Sequence, residues 1–260
     1  MIIDFHAHVY PDKIAEKAVK SIGDFYKIPI HCSCSGTPDN LISLGDEAGI
    51  DRFVIFSAAQ TASQVASIND YISGVAAAHP ERFTGFGSVH ADYDANEIER
   101  IQALGLKGVK LHPDFQSFNI DDDRMLPMYA RMEGKLPVII HAGDYRYQWS
   151  HPRRVARVCD MFPRLTVIAA HFGGWSLWDL AREFLENKRC YVDVSSSIMF
   201  LGNRRAKELI RVYGAERVLF GTDYPMWNPK EELERLYALN LTSREMELIL
   251  AANAIRLLKL

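Results

Sequence analysis

The sequence predicts an α/β chain folded as a single (β/α)8 barrel, a TIM barrel, and three observations carry that expectation. Eight short, apolar, β-rich runs occur at positions 2–5, 53–56, 83–89, 108–111, 136–140, 165–170, 191–194 and 218–220. Stretches with helical periodicity separate them, among them 67–78, 95–104, 153–161, 177–186 and 206–213, each bounded by Gly, Pro or polar residues. The chain has 260 residues, 48% of them hydrophobic, which suits one such barrel and fills a sizeable core.

Strands that are apolar on both faces and joined through helices call for a parallel sheet covered by those helices, and eight such units close on themselves. An open doubly wound sheet is the rival. It would place a Gly-rich phosphate turn after the first strand, where this chain has His6-Ala7-His8.

Taken in order, the first connection is the unusual one. About forty residues, roughly positions 10–50, separate strand one from strand two, longer than most ordered βα loops, and they read as a lid or substrate loop. The later connections are short. Near the end, Thr242-Ser243-Arg244-Glu245 fits a capping box opening a helix over about 243–258, with Met246, Ile249 and Leu250 as its apolar stripe, packed across the underside or flank of the barrel. No repeat, low-complexity tract or linker divides the chain, so residues 1–260 are expected to form one domain.

Charge excludes some partners. Lys and Arg total 30 against 33 Asp and Glu, a net charge of −3, so no strong field draws the chain to nucleic acid or an anionic membrane. A small-molecule substrate is the better expectation. The start of the chain shows no basic leader with a long apolar stretch, and no window is apolar enough to cross a bilayer, so a cytoplasmic location is expected. Four cysteines, Cys32, Cys34, Cys159 and Cys190, are too few and scattered for a disulfide framework, and reduced thiols are expected. His31, Cys32 and Cys34 lack the paired spacings of a zinc motif and read as loop residues.

The informative pattern is where polar residues fall. Four apolar strands each finish on a candidate ligand: His6, His141, His171 and Asp223. All strands of a barrel open their carboxyl ends on one face, so these residues converge. His6 and His8, two apart on a strand, point to the same side. Imidazoles with a carboxylate suit Zn²⁺ or another divalent first-row metal, one ion or two. For any single histidine the plainer account is a hydrogen-bonded core residue, but unpaired polar groups at four strand ends together would be costly without a shared task.

Lys110 ends the Leu106–Lys110 run and His112 follows on the same strand face. The lysine is either an ammonium paired with Asp223 or another carboxylate, or a carbamate bridging two metals; burial among cations favours the neutral amine that the second option needs. His112 is a candidate substrate contact. In the loop after His141, Tyr145 and Arg146 are candidates for substrate binding, Arg146 as a carboxylate grip, and Trp175 as an aromatic wall; Trp178 reads as packing. His79 and His151 precede prolines at helix boundaries and read as structural.

His6-Ala7-His8, Gly108-Val109-Lys110-Leu111-His112-Pro113, His141-Ala142-Gly143, His171-Phe172-Gly173-Gly174 and Gly221-Thr222-Asp223-Tyr224-Pro225 together resemble the amidohydrolase superfamily, in particular the amidohydrolase-related branch that includes aromatic-acid decarboxylases. The resemblance extends to Asn253–Leu258. It implies that His6, His8, His141 and Asp223 hold a metal, that His171 either holds a second ion or acts on the substrate, and that Lys110 is a ligand if carbamylated. Mononuclear, decarboxylase-like members lack a carbamylated lysine on strand four, whereas hydantoinase-like and urease-like members have one. A homodimer is a further expectation of the resemblance.

The main reading is a metal-dependent hydrolase of a small, carboxylated or cyclic substrate. Metal-activated water attacks, Asp223 is the general base and His171 polarises or protonates the substrate. The alternative is a nonoxidative decarboxylase of a small aromatic or unsaturated acid, with Asp223 or His171 delivering a proton to carbon. A non-enzymatic metal-binding or scaffold protein is disfavoured, because Lys110, His112 and His171 would be expensive burials without chemistry.

Overall fold

The computed structural model describes residues 1–30 and 34–260. Its strands are β1 (Ile3–His8), β2 (Arg52–Phe56), β3 (Phe83–Gly85), β4 (Gly87–Ser88), β5 (Val109–Leu111), β6 (Val138–Ile140), β7 (Val167–Ala169), β8 (Cys190–Asp193) and β9 (Val218–Leu219), and every pairing between them is parallel. β3 and β4 are one barrel strand interrupted at Phe86, whose N–H still reaches Ile55 O at 2.9 Å. The ring closes between the last strand and the first, through Phe5 N to Phe220 O at 2.8 Å and His8 N to Tyr224 O at 2.7 Å.

Side-chain alternation sorts the strands into two layers. Ile3, Phe5, Val54, Phe56, Phe86, Ile139, Ile168 and Leu219 form a compact cluster inside the barrel. Their neighbours Phe53, Ile55, Val138, Ile140, Val167 and Ala169 face outward into the larger core beneath the helices. Lys110 stands in register with Ile139, and Ile139 with Ile168, so the lysine takes an inward position in that interior layer. Gly108, two residues earlier, makes room for the Phe86 ring, since a Cβ there would lie 2.4 Å from it.

The first strand departs from simple alternation. Asp4 pairs with Phe53 but Ala7 pairs with Ile55, so Phe5 and His6 together face Val54 across a β-bulge. The extra residue lets Phe5 fill the interior while His6 and His8, rather than Ala7, continue inward at the mouth. The His6 N–H turns to the Asp4 carboxylate at 2.9 Å. Asp4 also accepts from Thr222 N at 3.0 Å and Thr222 Oγ1 at 2.6 Å, joining the bulge to the turn that carries Asp223.

The long first connection is helical, not an irregular loop: α1 (Asp12–Tyr26) and α2 (Pro38–Ala48) occupy it. Only Ala15 and Ile22 are buried in α1, too sparse an apolar stripe to stand out in the sequence. The remaining helices are α3 (Val65–Ala78), α4 (Glu97–Ala103), α5 (Pro113–Gln116), α6 (Leu126–Met132), α7 (Pro152–Met161), α8 (Trp178–Leu185), α9 (Ile198–Tyr213) and α10 (Pro229–Tyr237). His79 and His151 cap α3 and α7.

The Thr242–Glu245 capping box forms in both directions and opens α11 (Ser243–Glu247). A π-turn over Leu248–Ala252 then leads into α12 (Asn253–Leu258), which closes the barrel floor by packing Ala254, Ile255, Leu257 and Leu258 on the interior cluster. No helix among the described residues is long and apolar enough to cross a membrane.

Cysteine state corrects one expectation. Cys34 is disulfide-bonded, whereas Cys159 and Cys190 are free thiols. His31 and Cys32 lie outside the described residues.

The floor supplies a stability test. Buried Asn253 donates from Nδ2 to Ala215 O and Val218 O, both at 2.7 Å. Asn253→Ala orphans both carbonyls and should cost about 2–4 kcal/mol in urea unfolding, whereas exposed Leu260→Ala should stay within about 0.5 kcal/mol.

Candidate metal centre and its surroundings

The carboxyl ends of the strands bring His6, His8, Lys110, His112, His141, His171 and Asp223 to one buried cluster at the barrel mouth, as the sequence places them. Three ligand-capable groups emerge among the described residues: His6, His8 and Asp223; His6, His171 and Asp193; and His112, Asp114 and His141. In the first, Asp223 Oδ1 lies 3.3 Å from His6 Nε2 and 3.6 Å from His8 Nε2. His141 joins the third group instead. Its Nε2 faces Asp114 Oδ2 at 3.5 Å, and its ring stacks on His112 at 4.0 Å.

Hydrogen-bond partners fix which nitrogens are free. Backbone carbonyls only accept, so His171 Nδ1, 3.1 Å from Ser195 O, carries the proton and its Nε2 is an acceptor. His141 Nδ1, 3.0 Å away, must donate to it, which leaves His141 Nε2 an open lone pair. His6 Nδ1 likewise donates to Asp193 Oδ2 at 2.9 Å, so His6 Nε2 is also a lone pair, into which Lys110 Nζ donates at 3.0 Å.

Asp193 anchors this arrangement. Its Oδ1 accepts from His171 N and Ser195 N, both at 3.1 Å, and from Ser195 Oγ. Asp223 is held by a different chain of donors. Trp227 Nε1 donates to Ser196 Oγ at 2.7 Å, and Ser196 donates to Asp223 Oδ2, leaving Oδ1 toward the imidazoles. Gly221 makes the turn possible, since a Cβ there would stand 2.7 Å from His6 Cβ. Asp223, His171 and Phe172 all adopt left-handed φ values, 58°, 60° and 53°, strain that the surrounding bonds sustain.

Burial sets the protonation states. It pushes His6, His8, His112 and His141 well below the usual imidazole range and His171 down to about 4, with the Lys110 charge adding to the effect on all five. The imidazoles are neutral, the form that binds metals. Burial lowers Lys110 to about 8, opposed by Asp223 and Asp193, and raises Asp223 to about 7, opposed by Ser196 and Lys110.

A divalent cation fits this donor set. His6 Nε2, His8 Nε2 and Asp223 Oδ1 converge, and His8 Nδ1 and Asp114 Oδ1 are buried without a hydrogen-bond partner. A nearby positive charge would offset the like-sign cost of gathering buried acids.

The expected substrate contacts divide. Trp175 lines the small cavity beside His141, His171 and Asp223, and His112 reaches it through Tyr26. Tyr145 is 69% exposed and does not line the cavity. Arg146 is not a free carboxylate grip: Asp144 takes its guanidinium on both oxygens, and its Nη1 donates to Phe25 O. Trp178 packs and also donates Nε1 to His171 O at 3.1 Å.

The sequence reading missed Asp193, Ser195 and Ser196, Asp114, Asp4 and Tyr26. The first had a visible signal, an acid within the apolar run Tyr191–Val194 at a strand end, the same rule that singles out His6 and His141. Tyr26 had none, because nothing local shows where a helix in a long connection will lie.

A parallel barrel with a buried histidine and carboxylate cluster at its mouth defines the class, and comparison gives the family. The chain belongs to the amidohydrolase family, whose model matches residues 3–260. It is 24% identical to a 2-amino-3-carboxymuconate-6-semialdehyde decarboxylase of Dictyostelium discoideum, over 99% of this chain and 91% of that protein. It is also 24% identical to a gamma-resorcylate decarboxylase of Polaromonas, over 85% and 87%. The fold superposes with TM-score 0.78 and 17% identity on 5-carboxyvanillate decarboxylase of Novosphingobium aromaticivorans, solved with manganese and 4-hydroxy-3-methoxy-5-nitrobenzoic acid, covering 100% and 96% of the two chains.

The anchoring role of Asp193 can be measured directly. Asp193→Asn keeps the shape but frees the His6 tautomer, so divalent-metal affinity should fall about 10–100-fold in chelator competition with the fold intact by circular dichroism. Unchanged affinity would remove Asp193 from the account.

Proposed function

We propose that the chain is a metal-dependent, nonoxidative decarboxylase of a small hydroxylated aromatic or unsaturated carboxylic acid. The residues alone serve hydrolysis and decarboxylation equally. What tips the reading away from the hydrolase is that relatives matched over most of this chain are decarboxylases of two different unsaturated acids. Manganese in a structurally similar decarboxylase supports a divalent ion without favouring zinc.

His6, His8 and Asp223 would hold the ion, while the His141 lone pair faces Tyr26 and Asp114 instead. When bound, it supplies positive charge to gather the substrate's carboxylate and adjacent oxygen. The protein supplies the rest. Trp175 and Phe115 line the cavities on either side and supply aromatic walls for a flat substrate.

As the bond from ring carbon to carboxylate breaks, its electron pair stays on carbon, CO₂ departs, and the carbon takes a proton. Asp223 is the proposed donor. Ser196 and the backbone bond from Asp223 N to His6 O fix its aim. A proton from water restores it. His171, tied at both nitrogens, positions His141 rather than reaching the substrate itself.

The reading is checked by incubating Mn²⁺-loaded protein with gamma-resorcylate, 5-carboxyvanillate and related ortho-hydroxylated acids and measuring CO₂. Release is expected for at least one of them, falling about 10²–10⁴-fold in Asp223→Asn. Loaded protein that liberates no CO₂ yet cleaves esters or lactones would restore the hydrolase.

A further inference from the structure

The space left at the candidate metal centre is very small. The cavity among His6, His8, His112, His141, His171 and Asp223 measures about 20 Å³, and the one beside Trp175 about 10 Å³. Small-molecule sites run to about 300 Å³ or more. Tyr26, the last residue of α1, lines both cavities, and its ring stands between them and the helix.

Tyr26 is seated by contacts specific to the mouth. His112 Nδ1 accepts the Phe115 N–H at 3.3 Å, so its Nε2 carries the proton and donates to Tyr26 Oη at 2.8 Å. The phenol hydrogen is then free for the open His141 Nε2 lone pair, 3.5 Å away. The ring meets Trp175 edge-on at 5.1 Å.

Arg146, anchored on Asp144, donates to the Phe25 carbonyl and lies over the Phe25 ring at 4.6 Å, fixing the end of α1. Only Ala15 and Ile22 of α1 are buried, so the helix end is held chiefly by this bond and by the Phe25 ring against Phe115 and Tyr147, at 4.4 and 5.8 Å.

We propose that Tyr26 is the residue a substrate must displace: its phenol oxygen holds, on His112 and His141, the place that a substrate hydroxyl takes, and Arg146 latches it there. This rests on reading the mouth as the substrate site. Specificity follows. An acid carrying a hydroxyl able to replace both contacts recovers what displacement costs, and one without it does not.

Two measurements test this. In metal-free protein, diethyl pyrocarbonate labelling of His112 and His141, followed by peptide mass analysis, reads access directly. Tyr26→Phe, which keeps the ring and loses the contacts, should label about tenfold faster than wild type, and Arg146→Gln should move the same way by a smaller factor. In Mn²⁺-loaded protein, tryptophan fluorescence titration with gamma-resorcylate should show about tenfold tighter binding to both Tyr26→Phe and Tyr26→Ala.

Labelling at the wild-type rate, or weaker binding in the Tyr26 variants, overturns the proposal; the latter would make Tyr26 an ordinary substrate contact. If gamma-resorcylate binds to none of the proteins, the decarboxylase reading suffers, while the labelling rates still decide the role of Tyr26. If Tyr26→Ala does not fold, Tyr26→Phe and Arg146→Gln carry the test.

Discussion

The mouth of this barrel depends on one extra residue in its first strand. Regular alternation from Phe5, which the interior requires, would send His6 and His8 outward into the helices. The bulge spanning Phe5 and His6 turns both histidines in, and it takes the His6 N–H out of the ladder. Asp4 receives that N–H and, with its remaining capacity, the turn before Asp223. A single buried carboxylate thus sets the separation of candidate ligands 217 positions apart in sequence, from strands that meet only where the barrel closes.

Above the bulge, the polar groups form directed chains rather than a loose cluster. Ser195 O fixes His171, His171 fixes His141, and Asp193 fixes His6, so His6 and His141 each present a defined lone pair. Hydrogen bonds hold His6, His112, His141 and His171 neutral in this dry place, and the orphaned His8 and Asp114 atoms mark where that satisfaction is incomplete. Incomplete satisfaction beside converging lone pairs is what a cation relieves. The same chains occupy both ring nitrogens of His171.

Much of this was legible in the sequence. Eight apolar runs gave the barrel, and the rule that a polar residue ending a buried strand needs a reason gave His6, His141, His171 and Asp223. The capping box at Thr242 marked the final helix to the residue. What escaped depends on contacts that no local pattern encodes. The α1 helix buries two residues, so its periodicity was faint, and Tyr26 acquires meaning only from where that helix ends. Arg146 sits in a loop that suits a carboxylate grip, yet Asp144, two residues earlier, satisfies it. The bulge in β1 is a matter of register with β2, which sequence alternation alone does not reveal.

The central claim is that imidazole nitrogens of His6 and His8 and the Asp223 carboxylate meet on a common cation. Electron–nuclear double resonance on Mn²⁺-loaded protein carrying ¹⁵N-histidine reads this most directly. The account requires coupling from at least two histidine nitrogens, with one lost in His8→Ala. A bound ion surrounded by oxygen alone, or a histidine coupling unchanged in that variant, would contradict it.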